Sequence, residues 1–416
     1  MGKSLKILHV GKYFSPFSGG LENYMLDAMV ALERRGVRSS ALVHQHVLSL
    51  KTLTESYTVD GQDFHIVRTG MWARLLFTPI SPAFVWHLRR FIRHFKPDIL
   101  HLHLPNPSAF WVLALPSARR IPWVIHWHSD VITSAQDWRM RFFYRLYRPF
   151  ESALLKRADT IVATSLPYRD SSEPLKPWLS KCKVVPLGVD VDRFTKSERA
   201  SGEVSISARL VENQTELEKS PQGAPPTTLH PLQVLAVGRL TYYKGFRYLA
   251  EAAAKVPGIH VHIVGQGDQA ENLKKLAASL NLKERITFHG YLSNAELARL
   301  MTDCDCLCLP SIERTEAFGM VLLEAMYFGK ATVISDVAGS GMGWIVDNDV
   351  TGIKVEPANA DSLAAALERL AENRVESASM GRNGREKFNR QFEINHAIEE
   401  LLKIYHRIAG ANALKE

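Results

Sequence analysis

Glu316 and Glu324 bracket a glycine and an apolar run in TEAFGMVLLEAMYFGKATVIS, residues 315–335. Carboxylates accept hydrogen bonds from hydroxyls, and backbone without a side chain lets a ligand come close. Gly319, between Phe318 and Met320, stands where a helix should begin, so the first amide N–H groups lack intrahelical partners and offer an anion site. Glu316 precedes that helix, and Glu324 lies just over one turn inside it. An anion on the amides would have a hydroxyl acceptor on either side. A phosphate between hydroxylated groups, as in a nucleotide sugar, fits that pattern.

Two cations point to the same chemistry. Arg239 and Lys244 lie in the loop of LQVLAVGRLTYYKGFRYLAEAAAK, between a β-branched run and a helical one, with Gly245 at the helix mouth. Fixed cations and amides there stabilise the charge that develops on a departing diphosphate. Gly19 and Gly20 occupy the matching place after the first strand, at the N-terminus of a helix that ends at Gly36. His101 with His103, and His126 with His128, fall at strand ends. Each pair alternates on a strand without a carboxylate to complete a ligand set, which favours core or polar-cleft histidines over a metal centre. Asp190 and Asp192 form an Asp-x-Asp, but two carboxylates do not fill the shell of a hard cation, so a turn-capping role is expected.

These residues need elements to hold them. Short apolar strands (residues 5–10, 37–46, 64–69, then DILHLHLP, PWVIHWHSD and ADTIVATS) alternate with helical stretches, which indicates a parallel sheet covered on both faces. The alternation restarts at LQVLAVG and continues through HVHIVGQGD, where Asp268 is expected to cap a helix. It then runs on to the Glu316 segment and ends in a helix near residues 394–408. Between the halves, residues 196–231 are polar, proline-bearing and poor in aromatics, and read as a flexible insertion.

The Glu316–Glu324 segment, the Arg239–Lys244 frame and PLGVDVDRF together resemble the family-four retaining glycosyltransferases of the GT-B fold. The resemblance covers nearly the whole chain outside the insertion. The fold it implies is two doubly wound Rossmann-like α/β domains facing across a cleft. The acceptor-side domain would be 1–189 and the nucleotide-sugar domain 190–393, with a C-terminal helix, about 394–416, packed back on the first. It implies that Glu316 contacts the transferred sugar and Glu324 the ribose, and that His128 faces the sugar, with Asp130 as a neighbour. Gly20 would lie over the phosphates, and backbone at 290–292 beside the base. It also implies retained configuration and no obligatory metal or cofactor. The GSGMGWIV loop is like that of polysaccharide-assembly mannosyl- and rhamnosyltransferases, so a GDP-linked mannose or deoxymannose is the first-choice donor, and a lipid-linked saccharide or polysaccharide the acceptor. Alternatives on the same scaffold are a nucleotide-sugar 2-epimerase, a phosphorylase or a non-catalytic interaction subunit.

At 416 residues, two domains are the default. No apolar run is long enough to span a bilayer, and MGKSLKILHV reads as a first strand rather than a signal peptide. Cys304, Cys306 and Cys308 alternate as if on one strand face, which suits buried thiols in a reducing cytoplasm. Charge is lopsided: residues up to Pro186 carry 25 Lys and Arg against 13 Asp and Glu. Two stretches there, from Trp72 to Lys96 and from Asp137 to Arg157, mix arginine with aromatics and leucine. They suit helices lying on an anionic membrane, peripheral to its inner face, or internal helices whose arginines reach water. No nucleic-acid-binding signature accompanies the charge.

Overall fold

The computed structural model describes residues 4–15, 19–75, 78–131, 138–194 and 230–413. The expected insertion falls almost wholly outside these residues. The chain divides into two compact units, one of Met1–Gly188 with Ile394–Glu416, the other of Val189–Glu393.

Unit 1 is built on an eight-stranded sheet. Its strands are β1 (Lys6–Val10), β2 (Arg38–Leu48), β3 (Leu53–Val59), β4 (Gln62–Met71), β7 (Ile99–Leu104), β8 (Trp123–Trp127), β9 (Thr160–Ala163) and β10 (Cys182–Val184), in the order β10-β9-β8-β7-β1-β2-β4-β3. Every pairing is parallel except β3 with β4. Each residue of β7 and β8 is buried, as expected of central parallel strands covered on both faces. The order reverses between β1 and β7, and crevices beyond the strand ends at such reversals are where open α/β sheets bind ligands. The helix Ile394–Ala413 belongs to this unit: Tyr405 bonds His101 on β7, and Arg407 reaches Thr160 on β9.

Unit 2 has six parallel strands: β11 (Leu232–Val237), β12 (Ile259–Val264), β13 (Ile286–Gly290), β14 (Cys306–Leu309), β15 (Ala331–Ser335) and β16 (Gly352–Val355). Their order is β13-β12-β11-β14-β15-β16, so the reversal lies between β11 and β14. A core of β-branched and leucine side chains from these strands packs against alanine-rich helix faces such as Leu249–Ala253 and Leu363–Leu367.

Several expectations need correction. Leu53–Val59 forms an antiparallel edge strand that the parallel pattern did not anticipate. The stretch from Trp72 opens not as helix but as a small hairpin of β5 (Ala73–Leu75) with β6 (Thr78–Ile80), and the helix is Ala83–His94. Asp268 does not cap its helix: Gln269 holds the cap position, without a side-chain hydrogen bond. Cys304 lies outside β14, as the C-cap of the helix Asn294–Asp303, although all the cysteines are free and buried.

Candidate functional site

The loops that follow β11 and β14 meet at the unit 2 reversal, and they carry the residues singled out from sequence. Gly245 adopts a left-handed backbone (φ 67°) and caps the helix Phe246–Lys255; a Cβ there would sit 2.0 Å from the Pro310 carbonyl oxygen. Only glycine fits so close to the neighbouring loop. The Ile312 N–H donates to the Tyr243 carbonyl at 2.8 Å, which ties the loops together. The result is an ion pair, Lys244 Nζ to Glu316 Oε2 at 2.5 Å, with the two side chains only 11% and 13% exposed. The Ser311 hydroxyl donates to the same carboxylate oxygen at 3.2 Å.

A third loop completes the frame. The Ser340 hydroxyl donates to the Glu316 carbonyl at 2.5 Å, and the Gly341 N–H to the Ala317 carbonyl at 2.8 Å, so GSGMGWIV pins the Glu316 loop from the other side. Phe318 is buried, and Gly319 (φ 90°) caps the helix Met320–Tyr327 without a side chain. Its backbone turns in a space where a Cβ would press on Leu309, Leu322 and Met342 at 3.0–3.3 Å. Among the described residues, three helices have glycine caps in the extended or left-handed conformation and no side-chain cap: Gly20–Glu33, Phe246–Lys255 and Met320–Tyr327. By contrast, Ser293, Asn359 and Asn373 cap their helices with side-chain oxygens. Tips left uncapped are those at which an external anion can take the amide hydrogens.

Glu324 projects from the helix Met320–Tyr327 and pairs with Arg193, both side chains being about equally shielded (13% and 14% exposed). Arg193 was not anticipated. It follows the Asp-x-Asp, where Asp190 accepts the Asp192 N–H at 3.0 Å and so caps a turn as expected. The signal available in the sequence was one more cation next to that turn. Arg239 is exposed just after β11. Gly290 ends β13 with φ 68° and its carbonyl accepts from Gly265 N at 2.7 Å, while Tyr291 beside it is exposed.

The remaining nominated residues lie in unit 1. Gly20 is the first residue of its helix. His128 follows β8 and is buried with His126, His101 and His103, and with His9 from β1, which sequence reading missed. His9 Nδ1 meets His103 Nε2 at 3.1 Å, His103 Nδ1 meets His128 Nε2 at 2.9 Å, and His101 Nε2 meets His126 Nδ1 at 3.2 Å. Burial holds His9 down at about 3 and the other four well below the ordinary imidazole range, so all are neutral at pH 7. Neutral imidazole is the metal-binding form, and the ring nitrogens of His103, His126 and His128 come within 4.8 Å of one another. His9, His101 and His103 form a second such group, and the hydrogen bonds of His103 to His9 and His128 already engage both of its nitrogens. Asp130 is held by the Trp127 indole at 2.9 Å and the Ser172 hydroxyl at 2.6 Å, while its own N–H donates to the Tyr168 hydroxyl at 2.7 Å.

The chain is similar to known proteins along both units. The family described as "Glycosyl transferases group 1" matches residues 224–387, and "Glycosyltransferase Family 4" matches residues 18–193. An O-antigen chain mannosyltransferase of Escherichia coli is 27% identical over 406 residues, 96% of this chain and 98% of its own. A D-rhamnosyltransferase of Pseudomonas aeruginosa is 28% identical over 389 residues, 93% of this chain and 92% of its own. Among solved structures, sucrose-phosphate synthase from Thermosynechococcus elongatus superposes with a TM-score of 0.75 at 21% identity, covering 98% of this chain and all of that one. HepE from Anabaena, in complex with UDP, does so at 0.68 and 18% identity, covering 96% and 99%. With two doubly wound units, charge-bearing loops at the second reversal and both domain types matched in order, the chain belongs to the GT-B glycosyltransferases of group 1 and family 4.

Proposed function

We propose that this glycosyltransferase moves a hexose from a nucleoside diphosphate to an acceptor hydroxyl with retention of configuration, mannose or a deoxymannose from a GDP donor being the first choice. The observation that carries this reading is the Lys244–Glu316 pair beside the uncapped helix tip at Met320. The diphosphate would take Lys244, Arg239 and the amides following Gly319, releasing Glu316 to the hydroxyls of the sugar. Glu324 would exchange Arg193 for the ribose. Cations and helix-tip amides supply the charge that other transferases draw from a metal, so neither metal nor cofactor is required. In unit 1, Gly20 is proposed to approach a phosphate and His128 a sugar hydroxyl. Relatives named for O-antigen mannose and D-rhamnose transfer support the choice of sugar. A UDP-hexose is the second choice, because HepE binds UDP.

The acceptor proposed is a lipid-linked saccharide or polysaccharide, met at the cytoplasmic face of a membrane. No described helix is long and apolar enough to cross a bilayer. The helix Trp138–Arg157 instead exposes Phe142, Leu146 and Phe150 along one side, with Arg141, Arg145 and Arg148 also exposed, a surface suited to anionic headgroups.

A thermal-shift series with GDP-, UDP- and dTDP-sugars tests the donor, since a bound ligand stabilises according to its occupancy. A shift with GDP-mannose alone, followed by label transfer to a lipid-linked acceptor, is the expected result. Isomerisation of the free nucleotide sugar without transfer would point to an epimerase instead. Sedimentation with anionic vesicles tests the surface, and a protein left wholly in the supernatant at low salt would remove the membrane from the proposal.

A further inference from the structure

The unit 1 reversal is filled by imidazole, and its hydrogen bonds form two separate chains. On β1 and β7, His9 stands opposite His101; on β7 and β8, His103 stands opposite His126. One chain starts at the Tyr405 hydroxyl on the closing helix and passes through His101 to His126. The other passes from His9 through His103 to His128. In the second chain His103 uses both ring nitrogens, and a neutral imidazole has one N–H and one lone pair. His103 must therefore donate on one side and accept on the other. That requirement gives the chain a direction: either His9 donates to His103 and His103 to His128, or both bonds run the opposite way. No arrangement leaves the tautomer of His128 independent of His103.

The end of the chain is equally telling. His128 Nε2 is committed to His103, while His128 Nδ1 is buried without a hydrogen-bond partner. The ring of Tyr24 stands edge-on to His128 with centroids 6.2 Å apart, and its hydroxyl also lacks a partner. Tyr24 lies in the first turns of the helix that begins at Gly20. Leaving the imidazole nitrogen unpaired costs free energy, and a ligand hydroxyl can satisfy it.

We propose that His103 is a positioning residue for His128: the His9–His103–His128 chain fixes the plane and tautomer of the His128 ring and reserves its Nδ1 for a substrate hydroxyl. This rests on the reading that His128 meets the sugar or the acceptor. His103 itself touches no substrate, since both its nitrogens are occupied within the protein. A single polar atom on a locked ring recognises a neutral hydroxyl rather than a charged group.

The test uses the full-length enzyme labelled with nitrogen-15 histidine. Long-range proton–nitrogen correlation distinguishes the two tautomers of His128. In the wild type one tautomer is expected. His103→Phe, which cannot hydrogen-bond, should yield a mixture and lower kcat by roughly 10- to 100-fold, the scale of a misplaced reactive group, with donor KM unchanged. His103→Asn, whose amide can stand in for Nδ1, should restore the single tautomer and most of kcat. His9→Phe cuts the chain one ring further away and provides a second readout should His103→Phe fail to fold; it should also mix the tautomers. A single unchanged tautomer with wild-type kcat in a folded His103→Phe or His9→Phe would overturn the positioning role. Full activity in His128→Gln would instead overturn the placement of His128 on which the proposal rests.

Discussion

The two sheet reversals answer one topological problem with opposite chemistry. In unit 2, opposite charges meet in pairs, Lys244 with Glu316 and Arg193 with Glu324. In unit 1, five imidazoles kept neutral by burial stack and share hydrogen bonds. Largely shielded ion pairs can exchange one partner for a charged ligand at little net cost, because the incoming phosphate or hydroxyl replaces what it displaces. A neutral chain offers no such exchange and presents only what its end leaves over. The charged reversal is therefore suited to the diphosphate, and the neutral one to hydroxyls. The difference is also one of stability: each charge in unit 2 depends on its partner, whereas unit 1 depends on the absence of protons.

Removing one charge from unit 2 gives the largest expected effect. Lys244→Ala should lower kcat by about 10²- to 10³-fold, the scale for losing one group aimed at developing charge, as read from label transfer at saturating donor. A change confined to KM would assign Lys244 to uniform binding. Next in size, Arg193→Met leaves Glu324 shielded without its partner and should cost about 3 kcal/mol in denaturant unfolding, most of it recovered in Arg193→Met/Glu324→Gln. Equal losses in the single and double variants would mean that the stranded Glu324 charge is not the source of the loss.

Unit 1 should respond to pH. Its histidines are depressed below their unfolded value of about 6.5, so the unfolded chain takes up protons first; stability is full above that value and falls as pH drops through it. A loss of at least about 2 kcal/mol between pH 7.5 and 5.5 is expected from several such groups, followed through the buried Trp123 and Trp127 by fluorescence. Glu151 opposes this trend. Burial raises its carboxyl to about 7, with one oxygen accepting from Tyr144 at 3.0 Å and the other unpaired. The unfolded chain releases this proton from about pH 4.5 upward while the fold holds it to about 7, so the stabilisation is lost across that window; Glu151→Gln should add about 1–2 kcal/mol at pH 8.5 and almost nothing at about pH 3.5. A pH-independent gain would assign the effect to packing.

The sequence was most legible where local chemistry and topology coincide. The helix Met320–Tyr327, the left-handed Gly329 behind it and the strand Ala331–Ser335 follow from composition and one glycine each. Lys244 and Glu316 were identifiable because each lies within three residues of a left-handed glycine at a helix tip, Gly245 and Gly319. Arg193 was not, since its partner lies 131 residues away and nothing in its own surroundings requires one. His9 escaped notice for a similar reason: one histidine in an apolar strand resembles core until the parallel register sets it opposite His101. The β3–β4 hairpin did have a local signal. Asp60-Gly61 adopts positive φ at both positions (50° and 80°), as a tight two-residue turn demands. The sequence around it lacked the uniform apolar character of the parallel strands.

Because unit 1 ends at Gly188 and resumes at Ile394, unit 2 is an insertion within it. A chain emerging from the ribosome thus presents all of unit 2 before unit 1 can be completed. Until the closing helix arrives, His101 lacks its tyrosine and Thr160 its arginine. The N-terminal half of the molecule must wait longest for its final shape, and during that interval the later-made half can already be folded.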